Sequence, residues 1–191
     1  MTKLRIRLAG RRLLMDRMND ETLKGLATGN APQIQKDRPF EQIAGEKIYR
    51  DEDGRIGLTA DMLFASLVAA GRLVQYKGKS RISTLKDSLL PGFFDILDDF
   101  LVFNVPKGKK EVPWKVLTVP GRNPATGGAA CLIRPLFLDW SMEVNCEFDE
   151  KLINVSRIRE LFDVAGRSKG LGSWRAGCKG RHGKFKVTAW E

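Results

Sequence analysis

With 191 residues, 42% of them hydrophobic and 29% charged, the chain is long enough for one domain with a sizeable core. Thirty-three Lys and Arg against 23 Asp and Glu leave a formal charge of +10, a bias that favours a phosphate-rich partner. Cys131, Cys146 and Cys178 are odd in number and lack CxxC spacing, and His182 is the only histidine; a disulfide framework, a zinc site and a histidine-based metal cluster are excluded, and no cofactor is expected.

Residues 3–9 alternate strictly, predicting a half-buried strand with Leu4, Ile6 and Leu8 inward and Lys3, Arg5 and Arg7 outward. The same arginines interrupt the apolar pattern a signal peptide needs, and no run approaches the ~18 apolar residues of a membrane helix, so a cytoplasmic chain without a membrane partner is expected. Arg11, Arg12 and Arg17 carry the charge past a short apolar turn, Leu13-Leu14-Met15. Residues 19–46 are polar and weakly periodic, an excursion with one short helix around Phe40 to Lys47. Ile48–Tyr49 and Ile56–Leu58 flank Asp51-Glu52-Asp53-Gly54, which predicts a hairpin because Asp-Gly tolerates the positive φ of the turn.

Thr59 is placed to cap a helix of about fifteen residues, with Asp61 in its first turn and Leu63, Leu67, Ala70 and Val74 as its apolar stripe. A strand is expected over FLVFNV (100–105). Pro106–Arg122 holds five cations against one acid, Glu111. Val116–Val119 and Ala130–Leu138 read as a hairpin with a basic, Gly/Pro-rich tip (120–128), and Ser141–Phe148 as a further strand with Met142, Val144, Cys146 and Phe148 inward. Asn154 caps a second helix carrying Val155, Ile158, Leu161, Phe162 and Ala165, ended by Gly166 or Gly170. Phe185, Val187 and Trp190 belong to the last strand. With insertions at about 19–58 and 75–130 set aside, the order is βαββαβ: a single α+β domain of ferredoxin-like or RRM-like topology.

The segment Lys169–Glu191 carries most of the functional signal. Gly170, Gly172, Gly177, Gly180 and Gly183 alternate with Lys169, Arg175, Lys179, Arg181 and Lys184. Such a loop either wraps an anion, with the backbone N–H groups of Gly170 and Gly172 assisting the cations, or is a solvated basic loop. Trp174 is a base-stacking face or a packing anchor. Arg5, Arg7 and Arg12 are an RNA platform if the outer sheet face is open, and solvated charge otherwise. Lys107, Lys109, Lys110 and Arg122 belong to basic projections or to a solvated charge run. His182 suits a phosphate contact better than general acid–base work. Asp16 reads as a turn residue or a salt-bridge partner of Arg12 or Arg17. The GxxxxGK[ST] phosphate loop is absent.

The opening strand with Arg12-Leu13-Leu14-Met15, the small-residue helix RIGLTADMLFASLVAAGR (55–72) and the ending GLGSWRAGCKGRHGKFKV together resemble the RAMP superfamily. The centre, with Arg134, Pro135, Phe137 and Trp140, is also similar to small phage or prophage proteins. The RAMP resemblance implies a ferredoxin-like RNA binder of the kind that forms backbone, cap and RNA-processing subunits of CRISPR effector complexes. It implies guide or crRNA-like RNA as partner, with other effector subunits or copies of the chain. In that setting Lys107, Lys110 and Arg122 would lie on thumb-like projections over the guide, and Asp16 would stand where some backbone subunits carry a target-cleaving aspartate. A phage-encoded accessory or anti-CRISPR-type protein and a metal-independent endonuclease using His182 are the other readings.

Overall fold

The computed structural model describes residues 1–29, 38–122 and 127–191, the side chains of Arg122 and Ala130 excepted. In chain order the elements are β1 (Thr2–Leu14), α1 (Asp20–Thr28), α2 (Phe40–Gly45), β2 (Gly57–Thr59), α3 (Ala60–Gly71), β3 (Phe94–Ile96), β4 (Phe100–Val102), β5 (Trp114–Arg122), β6 (Ala129–Phe148), α4 (Val155–Val164) and β7 (Lys186–Trp190). β6 lies between β3 and β1, and β7 closes the other side of β1, every pairing antiparallel. With α3 between β1 and β3 and α4 between β6 and β7, this is the split βαβ order of a ferredoxin-like α+β fold.

The period-two pattern of β1 does what it predicts: Ile6 and Leu8 are fully buried while Arg5 and Arg7 face solvent. Opposite them on β6, Val144 and Met142 point the same way as Ile6 and Leu8. α3 and α4 cover this face through Leu63 and Leu67 and through Ile158, Leu161 and Phe162. Aromatic rings lock the layers, with Phe162 edge-on to both Phe94 and Trp190. Cys146 sits in this core, where burial pushes its thiol up to about 12.

Five local expectations change. The strand expected over 100–105 is only Phe100–Val102 (β4), and it pairs with β2 apart from the main sheet, whose strand after α3 is instead β3, Phe94–Ile96 against β6. The two strands expected over 130–138 and 141–148 are one twenty-residue strand, β6. Asp139 interrupts the alternation but adopts φ 50°, a left-handed conformation that Asp tolerates, so the strand continues. The 19–46 excursion holds α1 as well as α2. Asn19 accepts from the Thr22 N–H, Asp20 and Glu21 occupy the first turn, and Gly29 ends the helix at φ 73°. α1 buries no residue: its apolar positions, Leu23 and Leu26, both stay exposed. The Asp51–Gly54 turn forms, but its flanks share only the Arg50–Ile56 bridge, and β2 pairs with β4 instead. Finally, α3 is twelve residues long, and the Thr59 side chain makes no capping bond at its N-cap position.

β6 outruns its neighbours. On one edge it carries β1 up to Leu14↔Leu136; on the other it pairs with β5 from Trp114↔Phe137 to Arg122↔Ala129. From Pro135 back to Ala129, β5 is its only strand partner among the described residues, so β5 and β6 form a two-stranded arm beyond the sheet. The tip residues 123–126 and the Arg122 side chain, expected to be part of a basic projection, lie outside the described residues, as do residues 30–37 of the first excursion.

Candidate nucleic-acid interface

The helical run of α4 continues as a π-helical turn, Ala165–Lys169, and ends where Gly170 takes φ 70°. The chain then doubles back on itself. The Leu171 N–H donates to the Gly183 carbonyl (2.9 Å), the His182 N–H to the Trp174 carbonyl (3.1 Å) and the Gly180 N–H to the Arg175 carbonyl (3.0 Å). Two further bonds stitch the loop to the end of β1, from Ser173 N–H to the Leu14 carbonyl (2.8 Å) and from Gly183 N–H to the Arg12 carbonyl (2.7 Å). The loop is therefore held by its own backbone, unlike the free solvated loop that its composition allows.

This crossing explains the glycines. A Cβ on Gly183 would stand 1.8 Å from the Leu171 carbonyl oxygen, at a φ of 71°. A Cβ on Gly180 would stand 1.8 Å from the Trp174 carbonyl oxygen. The expectation that Gly170 offers its N–H to an anion is corrected: that N–H donates to the Ala165 carbonyl at 2.8 Å. Gly172 is held against the Leu14 carbonyl, which a Cβ would approach to 2.3 Å. Gly183→Ala should accordingly cost well over about 1 kcal/mol. A thermal melt should read this as a drop of several degrees, at roughly 2–4 °C per kcal/mol for a chain of this length.

The loop sorts the predicted cations onto different faces. Lys179, Arg181 and Lys184 are exposed and converge with Arg11 and Arg12 from β1 around two cavities. The first, about 730 Å³, is lined by Arg11, Arg12, Arg181, Lys184 and Lys186, with Asp139 and Trp140. The second, about 790 Å³, lies between the loop and the inner side of the β5–β6 arm. Its lining includes Arg12, Lys115, Lys179 and Arg181 together with Leu117, Val119, Leu136, Trp174 and His182. Arg12 and Arg181 line both and form the wall between them. None of Arg11, Arg12, Lys115, Lys179, Arg181, Lys184 or Lys186 enters an ion pair among the described residues.

Arg5 and Arg7 differ. Both bond to Glu143 across the strand pair, Arg7 at 2.7 Å and Arg5 through Nε at 3.0 Å and through its terminal nitrogen. The hydrogen bonds from Arg7 and Arg5 hold the Glu143 carboxyl below the usual carboxylate range. The cationic strand face is thus already partly neutralised. Arg175 turns to the opposite side, donating to the Gly172 carbonyl (3.3 Å) and lining a third cavity of about 450 Å³ with Asp16, Tyr49 and Asp61. Lys169 is half-buried at the end of the π-helical turn, its carbonyl oxygen 3.2 Å from where a Cβ on Gly177 would stand. Lys107, Lys109 and Lys110 are exposed on the β4–β5 connection and line none of these cavities.

Asp16 is engaged, though not with the residues expected. It accepts from Arg134 at 2.7 and 2.8 Å and lies 3.1 Å from the Lys47 ammonium, whereas Arg17 pairs with Asp20. Burial opposes its ionisation, but the hydrogen bond from Arg134 and the charge of Lys47 outweigh burial and hold its carboxyl below the usual range. Arg134, only 12% exposed, sets its guanidinium carbon over the Trp174 ring, 4.7 Å from the ring centre. Trp174 is therefore anchored on one side while it lines the second cavity.

His182 is 5% exposed, and its Nδ1 is buried without a hydrogen-bond partner among the described residues. Burial, then the charges of Arg181 and Arg12, lower its pKa and keep the ring neutral near pH 7. Strain gathers here too. Asp139 (φ 50°), Trp174 (φ 48°) and Lys179 (φ 61°) are the positive-φ non-glycine residues of the described chain, and all three line these two cavities. Asp tolerates this conformation, but for Trp174 and Lys179 it costs on the order of 1–3 kcal/mol, a cost that clusters at ligand sites. Lys115, Leu117 and Val119 escaped the sequence reading as site residues. Their period-two spacing was visible, but their partner surface is brought in from residues 174–182.

No family model matches the sequence, and no curated protein matches it either. Among solved structures, the chain is similar to one from a cryo-EM structure of the Type III-B Cmr-beta bound to cognate target RNA, at 11% identity and a TM-score of 0.46. The alignment covers 100% of this chain and 60% of that one, so this chain spans about three-fifths of its length.

Proposed function

We propose that this chain binds single-stranded RNA without cleaving it, holding the phosphate backbone along the basic wall of Arg12, Lys179, Arg181 and Lys184. One observation carries the reading: cations from two separate elements, without ion-pair partners among the described residues, converge on strained, cavity-flanked backbone, while Arg5 and Arg7 nearby are tied to Glu143. Clustered cations without counter-charges bind a polyanion at little desolvation cost. The RAMP-like sequence ends supply the finer form, a non-catalytic subunit that holds guide RNA beside other effector subunits or copies of itself. On this reading the whole chain, 1–191, is one RNA-binding domain, with the excursions about 19–58 and 75–130 as insertions.

Gel filtration of natively purified protein before and after ribonuclease, with a low-salt gel shift, tests this. The expected result is a large species of high 260/280 absorbance ratio that collapses with ribonuclease, and intact RNA in the shift. A nucleic-acid-free monomer or dimer that shifts no RNA would overturn binding in favour of a protein-interaction role. RNA cleavage lost in His182→Ala would overturn the non-catalytic part.

A further inference from the structure

We infer that the cavity between the β5–β6 arm and the glycine loop is a nucleobase pocket, taking one base out of the bound strand against Trp174, with the His182 ring reading the base edge. This rests on the RNA-binding reading and adds sequence preference to it. The chemistry of the lining is divided as a nucleotide is. Leu117, Val119, Leu136 and the Trp174 ring supply apolar walls for a flat base, while Arg12, Lys115, Lys179 and Arg181 supply charge for its phosphates. At about 790 Å³ the cavity falls within the ~300–1,000 Å³ range of small-molecule sites.

The walls are prebuilt. Trp174 is fixed from behind by Arg134, itself held by Asp16, so one ring orientation is set before any ligand arrives. Trp174 and Lys179 keep left-handed backbone conformations that the crossing of the loop imposes. Within this wall His182 is buried and its Nδ1 has no hydrogen-bond partner among the described residues. A neutral imidazole offers one donor and one acceptor, so it distinguishes base edges that present different donors and acceptors. Phosphate binding alone gives no use for such a group, since cations already surround it.

The test is fluorescence anisotropy with labelled 12-nucleotide RNA homopolymers of A, C and U and an abasic ribose-phosphate 12-mer. Wild-type protein, His182→Asn and Leu117→Trp are compared across a salt series. Leu117→Trp fills the cavity from the arm and leaves every loop residue unsubstituted, and thermal melts of both variants separate lost preference from lost fold. Stacking and edge recognition predict that wild type binds its preferred homopolymer roughly 5- to 150-fold more tightly than the abasic strand, with a clear spread among A, C and U. Both variants should collapse that spread to about 2-fold or less while the slope of log K against log salt stays as in wild type. Equal wild-type affinity for all four strands with a steep salt slope would leave RNA binding standing and overturn the pocket. So would a spread that survives both variants. No binding of any strand at low salt would overturn the RNA reading and the pocket with it.

Discussion

Arg12→Glu combined with Arg181→Glu should reduce RNA affinity by on the order of 100-fold or more at moderate salt, with little change in melting temperature. Both residues line both cavities beside the glycine loop, so any strand crossing from one to the other passes them. Neither has an ion-pair partner among the described residues, and both are exposed, so reversal costs the fold little while turning two attractions into repulsions. Contacts to phosphate by Arg12, Lys179, Arg181 and Lys184 predict a salt slope near −3 for a single strand, falling to about half in the double variant. Gel shifts or anisotropy across 50–300 mM salt read both quantities. Arg5→Ala with Arg7→Ala is the matched control. These two already neutralise Glu143, and their loss should weaken binding by only about 2- to 3-fold. A double reversal that leaves affinity and slope untouched would remove the basic wall as the binding surface.

Asp16→Asn should destabilise the fold by about 1–3 kcal/mol at pH 7, because it leaves the largely buried Arg134 guanidinium without a counter-charge. The lower half of that range is favoured by the 33% exposure of Asp16, which lets water take up part of the lost interaction. The pH dependence has a definite sign. The folded carboxyl is held below its ordinary value of 3.8, so its contribution is fully present above that value and is lost as pH falls through the lowered folded pKa. Urea denaturation should therefore show a gap between wild type and Asp16→Asn at pH 7 that narrows below pH 4. A gap independent of pH would mean that the carboxylate charge is not what secures Arg134. Since Arg134 also fixes the Trp174 ring, the variant should loosen base stacking more than phosphate contact. An unchanged salt slope with weaker binding is the expected signature.

Much of the fold was legible because it depends on local periodicity. The alternation in β1, the stripe of α3, and the Asn154 cap and Leu161–Phe162 face of α4 each follow from spacing along one segment. The same is true of the glycine-bounded end of α4. β6 was read as two strands because Asp139 breaks its alternation, and only the partners on both edges show that pairing continues through it. α1 was missed because only Leu23 and Leu26 mark its apolar side over nine residues, too short a pattern to stand out in a polar segment. The concentration of Gly, Lys and Arg after residue 169 marked the right region. It did not reveal that the glycines serve backbone crossings, as the donation from Gly170 N–H to Ala165 shows.

By itself, the sequence determined β1, α3, α4 and the last strand, the α+β class and the basic character of the C-terminal loop, because these rest on residue type and spacing within short segments. Tertiary structure decided which charges are available. Arg5, Arg7 and Glu143 are separated by more than a hundred residues and meet only through the β1–β6 register; Asp16 and Arg134 meet in the same way. The cavity joining Lys115 and Leu117 to Trp174 and His182 exists only once the arm and the loop are folded side by side. Neutralisation and concavity depend on groups that come together in space, and a linear pattern carries no signal for either.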